Sequence, residues 1–423
     1  MNRWRALWGD KFSQGVLWNI VSLGIAGVGG VAVNYLVGQV YGAAGLGVFN
    51  QVYAGYIVMS QLAVLGVHSS VLTHVAASTD GAERRAIVTS ALPLTFMTAL
   101  AMCALFAASA HPLARLLDSP EVAEGILWAT PGLLCFALNK VILAALNGLQ
   151  RMRAYAIFQA GRVVFMALGF VGCVLVHAGR ATLPVILTIG ELVTLVLSIG
   201  TIADHLGRTP RAALRRWTGL HLRFGVRGFL SGLFGELNTR IDVLILGYFV
   251  SDALVGAYSL AAMIAEGVYQ VLIALRTNYA PVVVRLLGES ADELVRTVRR
   301  VRNRVYVAAL VFATIAALGY ALVVPRITHD PELQRSWIYF AVLLAGMVLS
   351  SGYVPFNQIL LWARRPGWHT IMIVVVVATS ALANVALVAR FGTIGAACAT
   401  AATYAFSVVL LQLFVARVLR LRI

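Results

Sequence analysis

The sequence predicts an all-α integral membrane protein, and its composition, its apolar segments and its charge distribution each support this class. Its 423 residues are 60% hydrophobic and 12% charged, and the mean hydropathy is +0.85. An ordinary soluble domain has about 25% charged residues. Stretches long enough to cross a ~30 Å hydrocarbon core recur along the chain. Because a membrane span has no water to satisfy its backbone groups, these stretches must form helices.

Twelve apolar segments, each about 20 residues long or slightly longer, are the predicted transmembrane helices. In chain order they cover residues 16–37, 46–66, 87–108, 125–146, 155–177, 183–203, 224–250, 253–275, 305–325, 337–362, 368–389 and 393–415. An even number of spans places both termini on the same side of the membrane. The basic start of the chain leads into a full-length span without a cleavage site, so we expect no cleavable signal peptide.

The distribution of basic residues tests this count, because cytoplasmic loops are enriched in Lys and Arg. With both termini cytoplasmic, 24 of the 33 basic residues fall in inner segments and five in outer loops. A single miscounted helix would remove that asymmetry. The formal net charge of +16 then reflects membrane orientation and attraction to anionic headgroups, so it requires no nucleic-acid partner.

The chain also repeats after a shift of 209 residues, which places GQVYGAAGLGVF (38–49) over GYFVSDALVGAY (247–258). The matched pairs are Gly38 with Gly247, Gly47 with Gly256, Phe49 with Tyr258 and Gln61 with Gln270. Chance recurrence of small-residue turns is the alternative explanation. An even number of helices per half would make the repeats parallel. We therefore predict two six-helix repeats around a central cavity, as an N-terminal lobe (1–203), a basic cytoplasmic linker (204–223) and a C-terminal lobe (224–423).

Charged residues inside the predicted spans are the main candidates for function. They are Lys140, Arg162, Glu191, Arg227, Glu236, Arg240, Asp242 and Glu266. Each costs at least about 2.5–3.5 kcal/mol at the bilayer centre, so such residues normally face a protein interior or a water-filled space. Lys140, Arg162 and Arg227 lie in the cytoplasmic thirds of the fourth, fifth and seventh predicted spans. Near the midplane lie Glu191, Glu236, Arg240 and Glu266. This distribution predicts a basic inner vestibule that leads to a mixed central site.

Simpler interpretations exist for the same charges. Lys140, Arg162 and Arg227 are close enough to the inner headgroups to snorkel toward them. Glu236 and Arg240 are four residues apart on one helix face, and they could form a purely structural ion pair. Asp242 is about 200° around the helix from Arg240, so we expect it to face a different neighbour.

Two segments resemble a known family. RIDVLILGYFVSDALVGAYSLAA (240–262) and NVALVARFGTIGAACATAATYAFSVVLL (384–411) are similar to motifs of Wzx-type lipid-linked oligosaccharide flippases, which belong to the multidrug/oligosaccharidyl-lipid/polysaccharide exporter superfamily. Length, number of spans and cytoplasmic termini agree with that family over the whole chain. One position departs from its pattern, because Val243 follows Asp242 where the family usually has a basic residue.

The resemblance implies a function in surface polysaccharide assembly. It implies that an undecaprenyl-diphosphate-linked oligosaccharide moves from the inner to the outer leaflet of the bacterial inner membrane by alternating access, for O-antigen, capsule or exopolysaccharide. The implied partners are the polyprenyl-diphosphate-linked glycan and membrane lipids, with a polysaccharide polymerase and chain-length machinery as further candidates. No enzyme activity, cofactor or metal site is expected. The four cysteines lie in four different spans without metal-ligand spacing.

The residues suit such a cargo in three ways. The basic candidates for substrate binding are Lys140, Arg162, Arg227 and Arg240, since basic groups attract a diphosphate. Glu236 is a further candidate, because it would pair with Arg240 when the site is empty. Amides that can hydrogen-bond sugar hydroxyls are Asn34, Asn139, Asn238 and Gln270. Acidic groups that could couple transport to an ion are Glu191, Glu266 and Asp242.

Three other functions compete with this hypothesis. A multidrug antiporter shares the twelve-helix plan, but it would need acidic cavity groups, and the first five predicted spans contain no acidic residue. A lipid II-type flippase would share both the plan and the diphosphate. A membrane enzyme would need a catalytic cluster in its outer loops, which are short. ATP hydrolysis is not expected, because neither lysine belongs to a G-K-[ST] phosphate loop.

Overall fold

The structure, a computed structural model, describes residues 11–421, apart from the side chains at positions 11–17, 20, 227, 228, 230, 231, 238, 277 and 281. Within that range every regular element is a helix, which confirms the all-α class. The α-helices are α1 Lys11–Val64, α2 Val67–Ala77, α3 Gly81–Leu116, α4 Pro120–Gly148, α5 Met152–Leu175, α6 Val185–Ile199, α7 Arg211–Phe249, α8 Asp252–Glu289, α9 Ala291–Ile327, α10 Pro331–Ser351, α11 Ile359–Trp362 and α12 Pro366–Leu419. Two 3₁₀ helices cover Gly200–His205 and Val354–Phe356.

The two longest helices, α1 and α12, each contain a sharp bend. Both have 54 residues, and the bends lie at Gly42 (φ 71°) and Gly392 (φ 58°). Glycine lacks a Cβ, so it adopts this left-handed backbone without the strain that other residues incur. Each non-helical glycine falls between two of the predicted spans, so α1 and α12 each consist of two helices that are joined directly at that glycine.

Nine helices in the described part of the chain are long and apolar enough to cross a membrane. The protein is therefore a multi-pass membrane protein. Two of the nine, α1 and α12, each hold a pair of predicted spans, and α7 holds a further predicted span beside the arginines of the linker. The total of twelve spans, and the cytoplasmic position of both termini, stay predictions.

One predicted span is not a single helix. The apolar segment 337–362 is divided into the end of α10, the 3₁₀ turn Val354–Phe356 and the short helix α11. Pro355 lies in this break and has no backbone N–H to donate, but proline alone does not require a break, since Pro93 and Pro131 lie inside continuous helices. Hydrophobicity indicates burial in the membrane and does not indicate such a local interruption.

The chain divides into two compact units. Unit 1 contains residues up to Leu36 together with Gln51–Glu236, and unit 2 contains Val37–Asn50 together with Leu237–Ile423. The core of unit 1 includes Val71, Ile87 and Leu146 from α2, α3 and α4. The core of unit 2 includes Val298 and Phe356. The lobe boundaries predicted above stay a prediction.

In unit 2, the two segments related by the 209-residue shift pack backbone against backbone. A Cβ added to Gly47 would lie 1.8 Å from the carbonyl oxygen of Asp252, and one added to Gly256 would lie 2.0 Å from that of Ala43. The contact is reciprocal, since Ala43 shifted by 209 residues is Asp252. Asp330 adds to it, because its Oδ2 accepts a 2.7 Å hydrogen bond from the backbone N–H of Ala43.

In unit 1, the start of α7 packs against α2 and α3. His221 is fully buried, with Nδ1 2.9 Å from the hydroxyl of Ser70 and Nε2 3.1 Å from the carbonyl oxygen of Ile87. A carbonyl only accepts, so Nε2 carries the proton and donates. Burial lowers the pKa of His221 from 6.5 to about 4, and the neighbouring His74 also lowers it.

We predict that this histidine makes the stability of the protein depend on pH. An unfolded chain binds a proton on His221 below about pH 6.5, whereas the folded protein resists it down to about pH 4. The stabilisation is therefore complete above about pH 6.5 and decreases as the pH falls toward 4, by about 3 kcal/mol in total. Melting temperatures in detergent between pH 7 and 4.5 should show this loss, and His221→Gln should reduce the slope. Equal slopes for both proteins would contradict the prediction.

Candidate functional site

A cluster of charged residues lies inside unit 1, between α4, α5 and α6. Arg162 on α5 and Glu191 on α6 form an ion pair, with Nη1 3.4 Å from Oε1. The two groups differ in accessibility, since the side chain of Glu191 is 4% exposed and that of Arg162 is 30% exposed. Gly190 permits this approach of α6 to α5, because a Cβ there would lie 2.4 Å from Cγ of Met166. The carboxylate is thus held in the protein, and the guanidinium remains accessible.

Asn139 on α4 fixes the position of Glu191. Its Nδ2 donates to both the backbone oxygen and Oε2 of Glu191, each at 2.8 Å. The hydroxyl of Ser198 lies 3.4 Å from Oδ1 of Asn139 and donates to it. A buried carboxylate is stable only when its oxygens are hydrogen-bonded or paired, and these contacts meet that requirement.

The ring of Phe136 on α4 brings two cations together. Nζ of Lys140 lies 4.8 Å from the ring centroid, and Cζ of Arg162 lies 5.3 Å from it. Lys140 follows Phe136 by one helical turn, so both side chains leave the same face of α4. A ring face attracts cations, which offsets part of the repulsion between the two charges. Tyr56 packs edge-on against the same ring at 5.6 Å.

A second carboxylate, Glu236 on α7, completes the cluster. Its Oε1 accepts a 2.8 Å hydrogen bond from Nε2 of Gln61 on α1. Glu236 and Glu191 both attract Lys140 electrostatically, and Arg162 repels it. The cluster in unit 1 therefore contains two partly accessible cations, one partly accessible carboxylate and one buried carboxylate.

In unit 2 the charged residues of α7 have partners on α8. Nη2 of Arg240 lies 3.5 Å from Oε2 of Glu266. The sequence suggested Glu236 as the partner of Arg240, and the partner seen within unit 2 is Glu266. Oδ2 of Asp242 accepts a 2.5 Å hydrogen bond from the hydroxyl of Tyr258. Asp242 thus faces a neighbour different from that of Arg240, as its position on the helix predicted.

The remaining candidates are less informative. Nδ2 of Asn34 donates to the carbonyl of Gly30 in its own helix at 3.0 Å. Gln270 is exposed. The side chains of Arg227 and Asn238 lie outside the described part of the structure. Within that part, no group of three or more His, Cys, Asp or Glu residues could hold a metal ion.

The cluster includes three residues that the sequence did not predict, Phe136, Tyr56 and Gln61. Aromatic residues are ordinary in membrane spans, so nothing marked Phe136 or Tyr56. Gln61 did carry a signal, because the repeat matched it with Gln270, and a polar side chain inside a span is costly unless it has a partner. That partner is Glu236.

The arrangement is suited to binding an anion. Glu191 is covered and held by Asn139, whereas Arg162 and Lys140 remain partly accessible over Phe136. Guanidinium and ammonium groups are the usual ligands of phosphate, the first as a bidentate fork and the second as a point charge. In a site of low polarity such contacts are stronger than in water.

Comparison with curated proteins finds two relatives in the archaeon Haloferax volcanii. "Probable flippase AglR" is 24% identical over 390 residues, which are 88% of this chain and 76% of the relative. "Probable low-salt glycan biosynthesis flippase Agl15" is 25% identical over 224 residues, which are 52% of this chain. The second match spans less than half of that relative, at 46% of its length.

Solved structures of similar fold cover nearly the whole chain. A lipid II flippase MurJ in an inward closed conformation has a TM-score of 0.75, with 13% identity over 95% of this chain and 87% of its own. An inward-facing multidrug resistance MATE family transporter of the MOP superfamily has a TM-score of 0.73, with 15% identity over 95% of this chain and 98% of its own. At such identities the likeness establishes the fold alone.

A family described as polysaccharide biosynthesis protein matches residues 12–287. This range contains most of α1, all of α2 to α7 and nearly all of α8, and it therefore includes both the charged cluster of unit 1 and the motif at 240–262. It confirms the resemblance drawn from that motif. The chain belongs to the polysaccharide biosynthesis protein family.

Proposed function

We propose that this protein is a flippase that moves a polyprenyl-diphosphate-linked oligosaccharide from the inner to the outer leaflet. The observation that carries the proposal is the pair of cations, Lys140 and Arg162, held over one aromatic ring inside a membrane unit. The names of both curated relatives and the fold of the lipid II flippase support it. Glycan transport for surface polysaccharide assembly also agrees with the family.

The finer parts of the proposal come from the sequence. They are an undecaprenyl carrier, twelve spans with both termini in the cytoplasm, the bacterial inner membrane, and cooperation with a polysaccharide polymerase. The cargo is moved without a bond being made or broken, so the protein acts as a transporter and not as an enzyme. Because the cargo is anionic, a membrane potential that is negative inside drives it outward by about 2.3 kcal/mol per charge per 100 mV.

In the cluster of unit 1, the cations can exchange a carboxylate partner for the diphosphate of the substrate. In the empty site, Glu191 balances Arg162, and Glu236 contributes to the balance of Lys140. A diphosphate carries several negative charges, so it competes with the accessible Glu236 for Lys140 and binds Arg162 beside Glu191. Glu191 stays in place, because Asn139 holds it. Arg162 is therefore oriented before the substrate arrives, which lowers the entropic cost of binding.

Multidrug transport is the main rival, and the fold of the MATE transporter favours it. A cationic drug would need an accessible carboxylate in the site. In the cluster of unit 1, the side chain of Glu191 is 4% exposed and already paired, whereas that of the cationic Arg162 is 30% exposed. Glu236 is also a partly accessible carboxylate, but the two partly accessible cations Lys140 and Arg162 outnumber it, so the cluster favours an anionic cargo. Glu191, Glu266 and Asp242 become candidates for coupling to an ion.

The proposal can be tested with the purified full-length protein in liposomes. A polyprenyl-diphosphate oligosaccharide is placed in both leaflets, and the fraction open to a membrane-impermeant glycosidase is followed over time. We expect complete cleavage with the wild type and at least about tenfold slower translocation with Lys140→Gln, since a charge-assisted hydrogen bond contributes about 1.5–3 kcal/mol. Lys140→Arg should retain more activity than Lys140→Gln.

Two controls separate the proposal from its rivals. Arg153→Gln removes an exposed charge from α5 outside the cluster, and it should translocate the glycan like the wild type. Efflux of a quaternary ammonium dye should be absent. Dye efflux without glycan translocation would favour the antiporter, and translocation of lipid II alone would favour the second type of flippase.

A further inference from the structure

The exposed face of α9 changes from basic to apolar at one position. Arg300 and Arg304 are exposed and one helical turn apart, and Val307, Val311 and Ile315 continue the same face. Those three apolar side chains are 66%, 55% and 65% exposed. The change coincides with the start of the predicted span at residue 305, which places Arg304 at the level of the inner headgroups.

A shallow groove of about 740 Å³ runs along this face. Its lining includes Asn303, Arg304, Val307, Val311, Phe312 and Ile315. The polar end is formed by the guanidinium and the amide, and the remainder is apolar. Between Val307 and Ile315 the helix rises about 12 Å, close to the length of an acyl chain in one leaflet of a ~30 Å core.

Two nearby arginines have protein partners that Arg304 and Arg300 lack in the described part of the chain. Arg302, on another face of α9, donates to the hydroxyl of Tyr353 at 3.0 Å, and Arg285 on α8 pairs with Glu289. In the described part of the chain, Arg304 has no carboxylate within ion-pair distance. Its charge is therefore available to a ligand.

We propose that this groove binds one anionic phospholipid, with its phosphate at Arg304 and Asn303 and one acyl chain along Val307, Val311 and Ile315. Charge complementarity selects a net negative headgroup, and the apolar wall selects a long chain. A soluble phosphate would leave that wall uncovered, and a nucleic acid could not follow it into the membrane. The bound lipid would fix the depth of α9 in the membrane. This inference does not depend on the glycan proposed above.

A photoreactive lipid tests the site in the full-length protein. Phosphatidylglycerol with a diazirine in its acyl chain is added to the protein in mixed phosphatidylcholine vesicles, and labelled peptides are identified by mass spectrometry. We expect labelling of residues 307–315 that is displaced by unlabelled phosphatidylglycerol and not by phosphatidylcholine. Arg304→Gln should reduce the labelling about fivefold, since one basic residue near the membrane surface contributes about 1 kcal/mol to the binding of an anionic lipid. The double variant Arg300→Gln/Arg304→Gln should reduce the labelling more than Arg304→Gln does.

The matched control is Arg296→Gln, which removes an exposed charge on the same helix two turns before Arg304. It should leave the labelling of residues 307–315 unchanged. Equal losses for Arg296→Gln and Arg304→Gln would mean that diffuse surface charge attracts the lipid, and would overturn the site. Displacement by a polyprenyl diphosphate at a lower concentration than by phosphatidylglycerol would also overturn it, because the occupant would then be the carrier lipid.

Discussion

Arg162→Met is expected to slow glycan translocation strongly and to destabilise unit 1. The substitution removes the guanidinium over Phe136, and it leaves Glu191, whose side chain is 4% exposed, without its cation. Removal of one partner from a buried ion pair costs about 3–5 kcal/mol, because the other charge remains desolvated. Translocation should fall at least about tenfold, since the site loses a charge-assisted contact to the cargo. Liposome translocation and thermal unfolding measure the two effects separately.

A double variant separates the two effects. Arg162→Met/Glu191→Gln removes both charges, and the amide that replaces the carboxylate can still accept a hydrogen bond from Asn139, so most of the lost stability should return. Translocation should stay low, because the anion site is still missing. Arg162→Lys should retain part of the activity if charge alone is sufficient. A double variant that transports like the wild type would show that the pair serves stability only.

Gly47→Ala and Gly256→Ala are expected to disrupt the packing of unit 2. The new Cβ atoms would lie 1.8 Å from the carbonyl oxygen of Asp252 and 2.0 Å from that of Ala43. Overpacking costs about 1–3 kcal/mol in typical cores and occasionally more. We expect each variant to reach or exceed the upper end of that range, because the clash is with backbone and no flexible side chain can yield. The yield of monodisperse protein and its melting temperature measure the loss.

Gly319 on α9 provides the matched control. It is also a helical glycine, but nothing lies within 4 Å of a Cβ added there. Gly319→Ala should be neutral or stabilising by up to about 1 kcal/mol, since alanine is the better helix former. If Gly47→Ala and Gly256→Ala melt like Gly319→Ala, the close approach of the two segments is not essential to the fold.

The composition alone determined the class of protein and most of its helices. A span of about 20 apolar residues must be helical in lipid wherever it occurs, so its prediction needs no knowledge of neighbours. The exceptions have a local cause that hydrophobicity does not report. Gly42 and Gly392 each join two helices through one non-helical residue, and the 3₁₀ turn Val354–Phe356 interrupts another predicted span.

The charged residues were identified for the same reason, because a charge in a membrane span is costly and therefore functional or paired. The 209-residue repeat likewise marked Gly47 and Gly256, and the structure adds that their segments contact one another reciprocally. Position along one helix also predicted that Asp242 and Arg240 have different neighbours, since the 3.6-residue period fixes the direction of each side chain.

Only the tertiary structure decided which charges meet. Arg162 and Glu191 are on different helices. The four-residue spacing places Phe136 and Lys140 on one face of α4, but no spacing encodes the approach of Arg162 from α5 to the same ring. Arg240 has Glu266 on α8 as a partner, although Glu236 is nearer in sequence. Sequence periodicity describes one helix at a time. The partner of a side chain depends on how several helices pack, and that packing is set by small residues such as Gly190 at their contacts.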